Sequence, residues 1–311
     1  MNGPHQAPPD IDALWDYGDP AASAARFQEL LDRMGDEAPA DLRAQLHSQI
    51  ARTHGLRADF ATARRWLDTG EDLCRIAETR GEDVGIARTR LLLERGRCLN
   101  SGSDPAGSVP LFQAALAGAE AAGLEHLACD AAHMLGIALP GEEGLAWNRR
   151  TITMAEAARD ARARRWLGAL YNNTGWSLHD LGRYDEALDL FDRSLAYRQA
   201  QDPAGQATRI ARWCRARCLR SLGRLDEALA EQRAMLAAGL ANRGLADRGD
   251  ENDEDGDGFV HEELGELLLA LGRPDEARGH FARAHALLGR LTGLEKLDEG
   301  RLGRMKVLGG G

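Results

Sequence analysis

The chain has 311 residues, 43% hydrophobic, 5% aromatic and 28% charged, with a net charge of −10. That length exceeds the usual single compact domain, and the scarcity of aromatic and β-branched runs argues against a sheet protein. The negative balance disfavours general nucleic-acid binding.

Much of that charge is local. Asp250, Glu251, Asp253, Glu254, Asp255 and Asp257 stand together, and without these six the balance is −4. Cys74, Cys98, Cys129, Cys214 and Cys218 are scattered and odd in number, which fits a reducing compartment rather than a disulfide framework. The opening Met1–Gln6 has no cationic or apolar leader pattern, and no apolar run approaches the ~20 residues of a membrane span. The expectation is a cytoplasmic protein that contacts neither nucleic acid nor membrane.

In chain order, residues 1–18 read as a disordered N-terminal segment, and Asp19-Pro20 reads as the cap and first residue of a helix carrying Phe27, Leu30, Leu31 and Met34. Two weak copies of a helical hairpin follow, one at Ala51, Phe60, Ala63 and Leu67, the other at Gly96, Leu99, Phe112 and Ala115. A degenerate copy surrounds His133-Met134-Leu135-Gly136 and Trp147.

The strong signal lies beyond residue 165. The phrase Leu-Gly-Arg-x-Asp-Glu-Ala occurs at 181–187, 222–228 and 271–277, with successive copies 41 and 49 residues apart. Its mechanics are those of a helix–turn–helix. Gly supplies the left-handed C-cap, Asp-Glu meets the positive end of the next helix, and Pro274 is tolerated at a helix start. Twelve residues before each terminal Ala stands a small residue, Gly175, Ala216 or Gly265. Leu178, Leu219 or Leu268 follows three later, so the paired helices approach closely.

The run Tyr171-x3-Gly175-x2-Leu178 through Gly182-x-Tyr184-x2-Ala187-x3-Phe191 resembles the tetratricopeptide repeat, as do Gly265, Leu268, Ala277, Phe281 and Ala284 in the last copy. The middle copy departs from that family, with Gln232 where an aromatic is preferred, and the spacing exceeds its basic 34 residues. The resemblance runs over roughly residues 20–290, and taken whole the chain is similar to functionally unassigned bacterial tetratricopeptide proteins.

It implies an all-α, right-handed superhelical solenoid of about six antiparallel hairpins over 19–290. The clearest repeats are 165–200, 205–240 and 259–290; an acidic insertion lies at 248–258, and a capping helix with a flexible glycine tail at 291–311.

Such an array presents the first helix of each hairpin on its concave side. One residue beyond the buried stripe lie Asn172, Trp176 and His179, then Trp213, Arg217 and Arg220, then Glu262, Glu266 and Leu269; the early copies place Ser48, Arg52, Arg97 and Asn100 there. The first six resemble what this family puts in a peptide-binding groove. Asn offers both donor and acceptor, arginines grip carboxylates bidentately, and Trp supplies rigid contact area. Packing between hairpins is the competing role for the tryptophans.

The expected function is that of a non-catalytic adaptor binding a peptide or partner segment, one of acidic character included. The rivals are a self-associating structural protein and a sensor of a small molecule or Ca²⁺; the oligomeric state is left open. Asp253, Asp255, Asp257, Gly258 and Val260 match the start of an EF-hand loop, but Leu264 replaces the closing Glu and the preceding sequence is not helix-like, so a solvated inter-hairpin loop is the preferred reading.

No phosphate-binding loop, dinucleotide fingerprint or nucleophile elbow occurs, and His261-Glu262 lacks the second histidine of a zinc motif, Gly265 standing in its place. Cys214 and Cys218 read as core thiols. No catalytic residue, metal or cofactor is assigned.

Overall fold

In the computed structural model the backbone is described for residues 9–245, 251–291 and 298–311, and side chains for 9–239, 257–291 and 298–311. Among these residues the chain is all-helical, and it divides into two compact units, residues 1–167 and 168–311.

In the first unit a single 3-10 turn (Asp12–Leu14) precedes α1 (Pro20–Met34). Three hairpins follow: α2 (Ala40–Leu56) with α3 (Phe60–Thr79), α4 (Gly85–Ser101) with α5 (Pro105–Ala121), and α6 (Glu125–Ala138) with α7 (Gly141–Ala157). A one-turn α8 (Ala161–Arg164) ends the unit. Aspartates start several of these helices because their carboxylates accept orphan backbone N–H groups. Asp19 accepts from Ala22, Asp59 from Thr62 and Asp104 from Gly107.

The second unit contains α9 (Leu167–Asp180) with α10 (Tyr184–Gln201), α11 (Gln206–Ser221) with α12 (Leu225–Leu245), and α13 (Glu251–Ala270) with α14 (Pro274–Leu288); α15 (Glu299–Leu308) packs on α14. Its turns carry out the repeated phrase. Gly182, Gly223 and Gly272 have φ of 74°, 73° and 71°, a region L-residues avoid. In each turn the phrase's Arg forks onto the Glu three residues on: Arg183 onto Glu186, Arg224 onto Glu227 and Arg273 onto Glu276, at 2.6–2.8 Å.

The hairpins close on small residues under aromatics. Phe112, Phe191 and Phe281 are wholly buried and lie against Gly96, Gly175 and Gly265, each 16 residues earlier. Burying such a ring contributes about 2–3 kcal/mol. At the same interval after Ala216 in the middle copy, Gln232 is wholly buried, and neither its Oε1 nor its Nε2 has a hydrogen-bond partner. The degenerate third hairpin is built differently, with the Asn148 side chain rather than an aromatic over Gly136.

Two expectations are corrected. Residues 9–18 are ordered rather than disordered: Ile11 is buried, Trp15 stacks on Tyr17 and meets Phe27 edge-on, and Arg26 Nε donates to the Leu14 carbonyl. Ile11, Leu14 and Trp15, packed on Phe27, Leu30, Leu46 and Ile50, outweigh the polarity that suggested a loose leader. The acidic run is not a loop beyond residue 250, because helix α13 begins at Glu251 and carries the backbone of Asp253, Asp255 and Asp257. An EF-hand loop needs a turning, non-helical backbone. The side chains of Asp253 and Asp255 lie outside the described residues.

Candidate functional site

In the second unit the first helices α9, α11 and α13 bring most of the expected stripe together. Trp176 and Trp213 face each other with ring centroids 6.1 Å apart, and the Arg217 guanidinium carbon sits 5.8 Å and 5.7 Å from them. An arginine in that position is held by the negative faces of both rings. His179 packs edge-on against Trp176, and its Nε2 lies 2.9 Å from Ser221 Oγ. Burial, then the nearby Arg217 charge, hold the His179 pKa below its ordinary value. Asn172 is half-buried and its Oδ1 has no hydrogen-bond partner.

The arginines are not unpaired. Arg220 forks onto Glu263, and Arg217 reaches the same carboxylate at 3.4 Å; Glu263 is 1% exposed. Burial opposes the Arg220 charge, but the hydrogen bond and charge of Glu263 outweigh it, so its pKa stands above the usual guanidinium value. Trp213 Nε1 donates to the Phe259 carbonyl at 3.2 Å, and the two rings meet edge-on.

Glu263 and Phe259 were not on the expected stripe. Superimposing the repeats marks Glu262, Glu266 and Leu269 as equivalents of Trp213, Arg217 and Arg220. Equivalent positions are not packed neighbours, however, since adjacent first helices also meet one turn out of step. Glu262 and Glu266 instead bind Arg301 and Arg304 of α15. The 46-residue interval shared by Trp213–Phe259 and Arg217–Glu263 was the available signal.

Beside this cluster a cavity of about 290 Å³ opens between α11, α12 and α13, walled by Ile210, Trp213, Met235, Phe259 and Val260, with Gln206 and Asp257 at polar positions. Ile210 is half exposed there. Cys214 and Cys218 are buried behind the face, and burial pushes both thiols up to about 11, so they stay protonated.

In the first unit the corresponding stripe is internally closed. Ser48 is wholly buried and donates to the Gln45 carbonyl; Arg52 pairs with Glu94 at 3.2 Å, and Arg97 pairs with both Glu94 and Asp130. Asn100 is half-buried. Among the described residues no three His, Cys, Asp or Glu side chains come together to hold a metal ion, and no helix is long and apolar enough to cross a membrane.

The tetratricopeptide repeat family model matches residues 167–200. No curated protein matches the sequence. Among solved structures, a signal transduction ATPase with numerous domains from Pyrococcus horikoshii, which has a tetratricopeptide repeat sensor, aligns over 93% of this chain at 13% identity and a TM-score of 0.68. The chain spans 43% of that protein's length. The apo form of the quorum sensor NprR from B. thuringiensis aligns over 89% of this chain and 82% of its own, at 15% identity and a TM-score of 0.52. A tetratricopeptide repeat protein from Parabacteroides merdae covers 97% of both chains at 12% identity and a TM-score of 0.50. These identities establish fold alone. With the model match at 167–200 and hairpins of that geometry in both units, this is a protein of the tetratricopeptide-repeat fold carrying at least one sequence-defined tetratricopeptide repeat.

Proposed function

We propose that the chain is a non-catalytic adaptor that binds a segment of another protein across the face formed by Asn172, Trp176, His179, Trp213, Arg217 and Arg220. The observation that carries this reading is the placement of Arg217 between Trp176 and Trp213, beside the apolar cavity of about 290 Å³. Aromatic and arginine side chains clustered beside a pocket are what binding hot spots are made of. The cavity takes an apolar side chain of the ligand, and two arginines sharing one carboxylate favour an acidic neighbour.

Tetratricopeptide domains typically bind proteins or peptides, which agrees with this reading. A sensor is the second reading, favoured by the same cavity, which also suits a small apolar ligand.

The test is a peptide array probed with the wild-type chain and with Trp213→Ala and Arg217→Ala variants of matched helicity. Peptides bearing an apolar anchor beside an acid should be retained by wild type and weakened at least about tenfold by either change. Equal retention by all three proteins would remove this face from the function. Stabilisation by small apolar compounds, with no peptide retained, would favour the sensor.

A further inference from the structure

The first unit carries a second surface, and part of this chain already lies on it. Residues 10–17 run across the first helices α2, α4 and α6. Asp12 binds Arg90 of α4 at 2.9 and 3.0 Å, with Arg162 at 3.6 Å and His126 of α6 at 3.9 Å. Trp15 Nε1 donates to Gln49 of α2 at 2.8 Å. The Arg52 guanidinium lies 5.6 Å from the Trp15 ring and 5.7 Å from the Tyr17 ring.

Arg52 follows the small residue Ala51 as Arg217 follows Ala216, so the two arginines hold equivalent places in their hairpins. Arg217 takes one aromatic partner, Trp213, from its own helix and the other, Trp176, from the neighbouring first helix α9, whereas Arg52 takes both from the crossing segment. Residues 10–17 therefore supply to this face what a bound ligand would: a carboxylate and a stacked aromatic pair.

The segment fits the face incompletely. A cavity of about 320 Å³ remains between Pro9, Ile11 and Asp12 on one side and Leu42, Ile86 and Leu124 on the other. Arg90 lines that cavity, and its Nε and that of Arg52, which lies by the Trp15 and Tyr17 rings, are buried without a hydrogen-bond partner. Tyr17 is 64% exposed. A segment built solely as core would satisfy those donors.

We propose that the α2–α4–α6 face is a peptide-binding surface closed in cis by residues 10–17. It accepts an external segment of the same chemistry, an acid followed three and five residues later by aromatics, when that strap is displaced. This goes beyond the proposal for the second unit and concerns different helices, so neither depends on the other.

A tethered strap competes at a high effective concentration, so weakening it should unmask the face. The probe is a labelled peptide of residues 9–18, offered to the full-length wild type, to Asp12→Ala and to Asp12→Ala with Trp15→Ala. Affinity should rise at least about tenfold in the folded double variant and be lost again when Arg90→Ala is added.

Unchanged affinity in a folded strap variant would overturn the proposal. So would loss of helicity in both strap variants, which would make the segment part of the core. Hydrogen exchange on the wild type gives an independent reading. Amides of residues 12–18 should be far less protected than those of α2, and equal protection would count against release. Peptide binding confined to a concentration-dependent dimer would reassign the face to exchange of the strap between two copies.

Discussion

Gly175 lies beneath the ring of Phe191 so closely that a Cβ on Gly175 would stand 2.8 Å from Cε1. Gly96 is tighter still, at 2.4 Å from Phe112 Cε1, whereas Gly279 on α14 has nothing within 4 Å. Gly→Ala in a helix is otherwise favourable by about 1 kcal/mol, and overpacking costs about 1–3 kcal/mol. Gly279→Ala should therefore raise the urea midpoint, while Gly175→Ala and, more strongly, Gly96→Ala lower it.

Gln232 occupies the place of the hairpin aromatic with both its polar atoms buried and unpartnered. Each such atom costs about 1–3 kcal/mol. Gln232→Met keeps the length of the side chain and removes the polar groups, so it should stabilise the second unit by about 1–2 kcal/mol in chemical denaturation.

Ala58 and Ser103 hold the left-handed turn conformation, with φ of 59° and 73°, at the ends of α2 and α4. A non-glycine residue there costs about 1–2 kcal/mol. Ala58→Gly and Ser103→Gly should each stabilise the first unit by about 1 kcal/mol, and their effects should add, since the sites lie in different hairpins.

Glu263 is the buried partner of two half-buried arginines. Glu263→Gln should lower stability by roughly 1–3 kcal/mol, because both guanidiniums are left short of an anion. If the proposed face is correct, the same variant should bind acidic peptides more tightly than wild type, so calorimetry and titration would move in opposite directions.

His47, His126, His133, His179 and His280 all have pKa values depressed below 6.5, with burial the leading cause in each. Their folded pKa values lie below the unfolded one, so the fold favours the neutral rings. The stability this contributes is complete above about pH 6.5 and is lost as pH falls through the depressed values. Urea midpoints should stay level from pH 8 to 7 and fall between pH 6.5 and 5.

The hairpins of the second unit were legible because one short phrase contains the whole turn, left-handed glycine and acid at the helix start, and a small residue at the crossing stands twelve before its Ala. Those of the first unit were faint because Ala58 and Ser103 stand where that phrase has glycine. Trp176, Trp213, Arg217 and Arg220 were found because one helical offset relates them to the buried stripe. Phe259 and Glu263 escaped because repetition reports equivalence, and contact depends also on the stagger between helices. Residues 10–17 escaped for a different reason: Ile11, Leu14, Trp15 and Tyr17 in so short a stretch make no period, and their order comes from contacts with α1 and α2.

The Arg–Glu clips at 183–186, 224–227 and 273–276 bear on how such an array is inherited. Everything a turn needs lies within seven consecutive residues, so a duplicated stretch of gene brings its own corner. Copying or losing one hairpin leaves the neighbouring corners as they were. Length can then drift elsewhere, as it has between the second and third phrases, where α12 runs for 21 residues, while the corners themselves stay nearly identical.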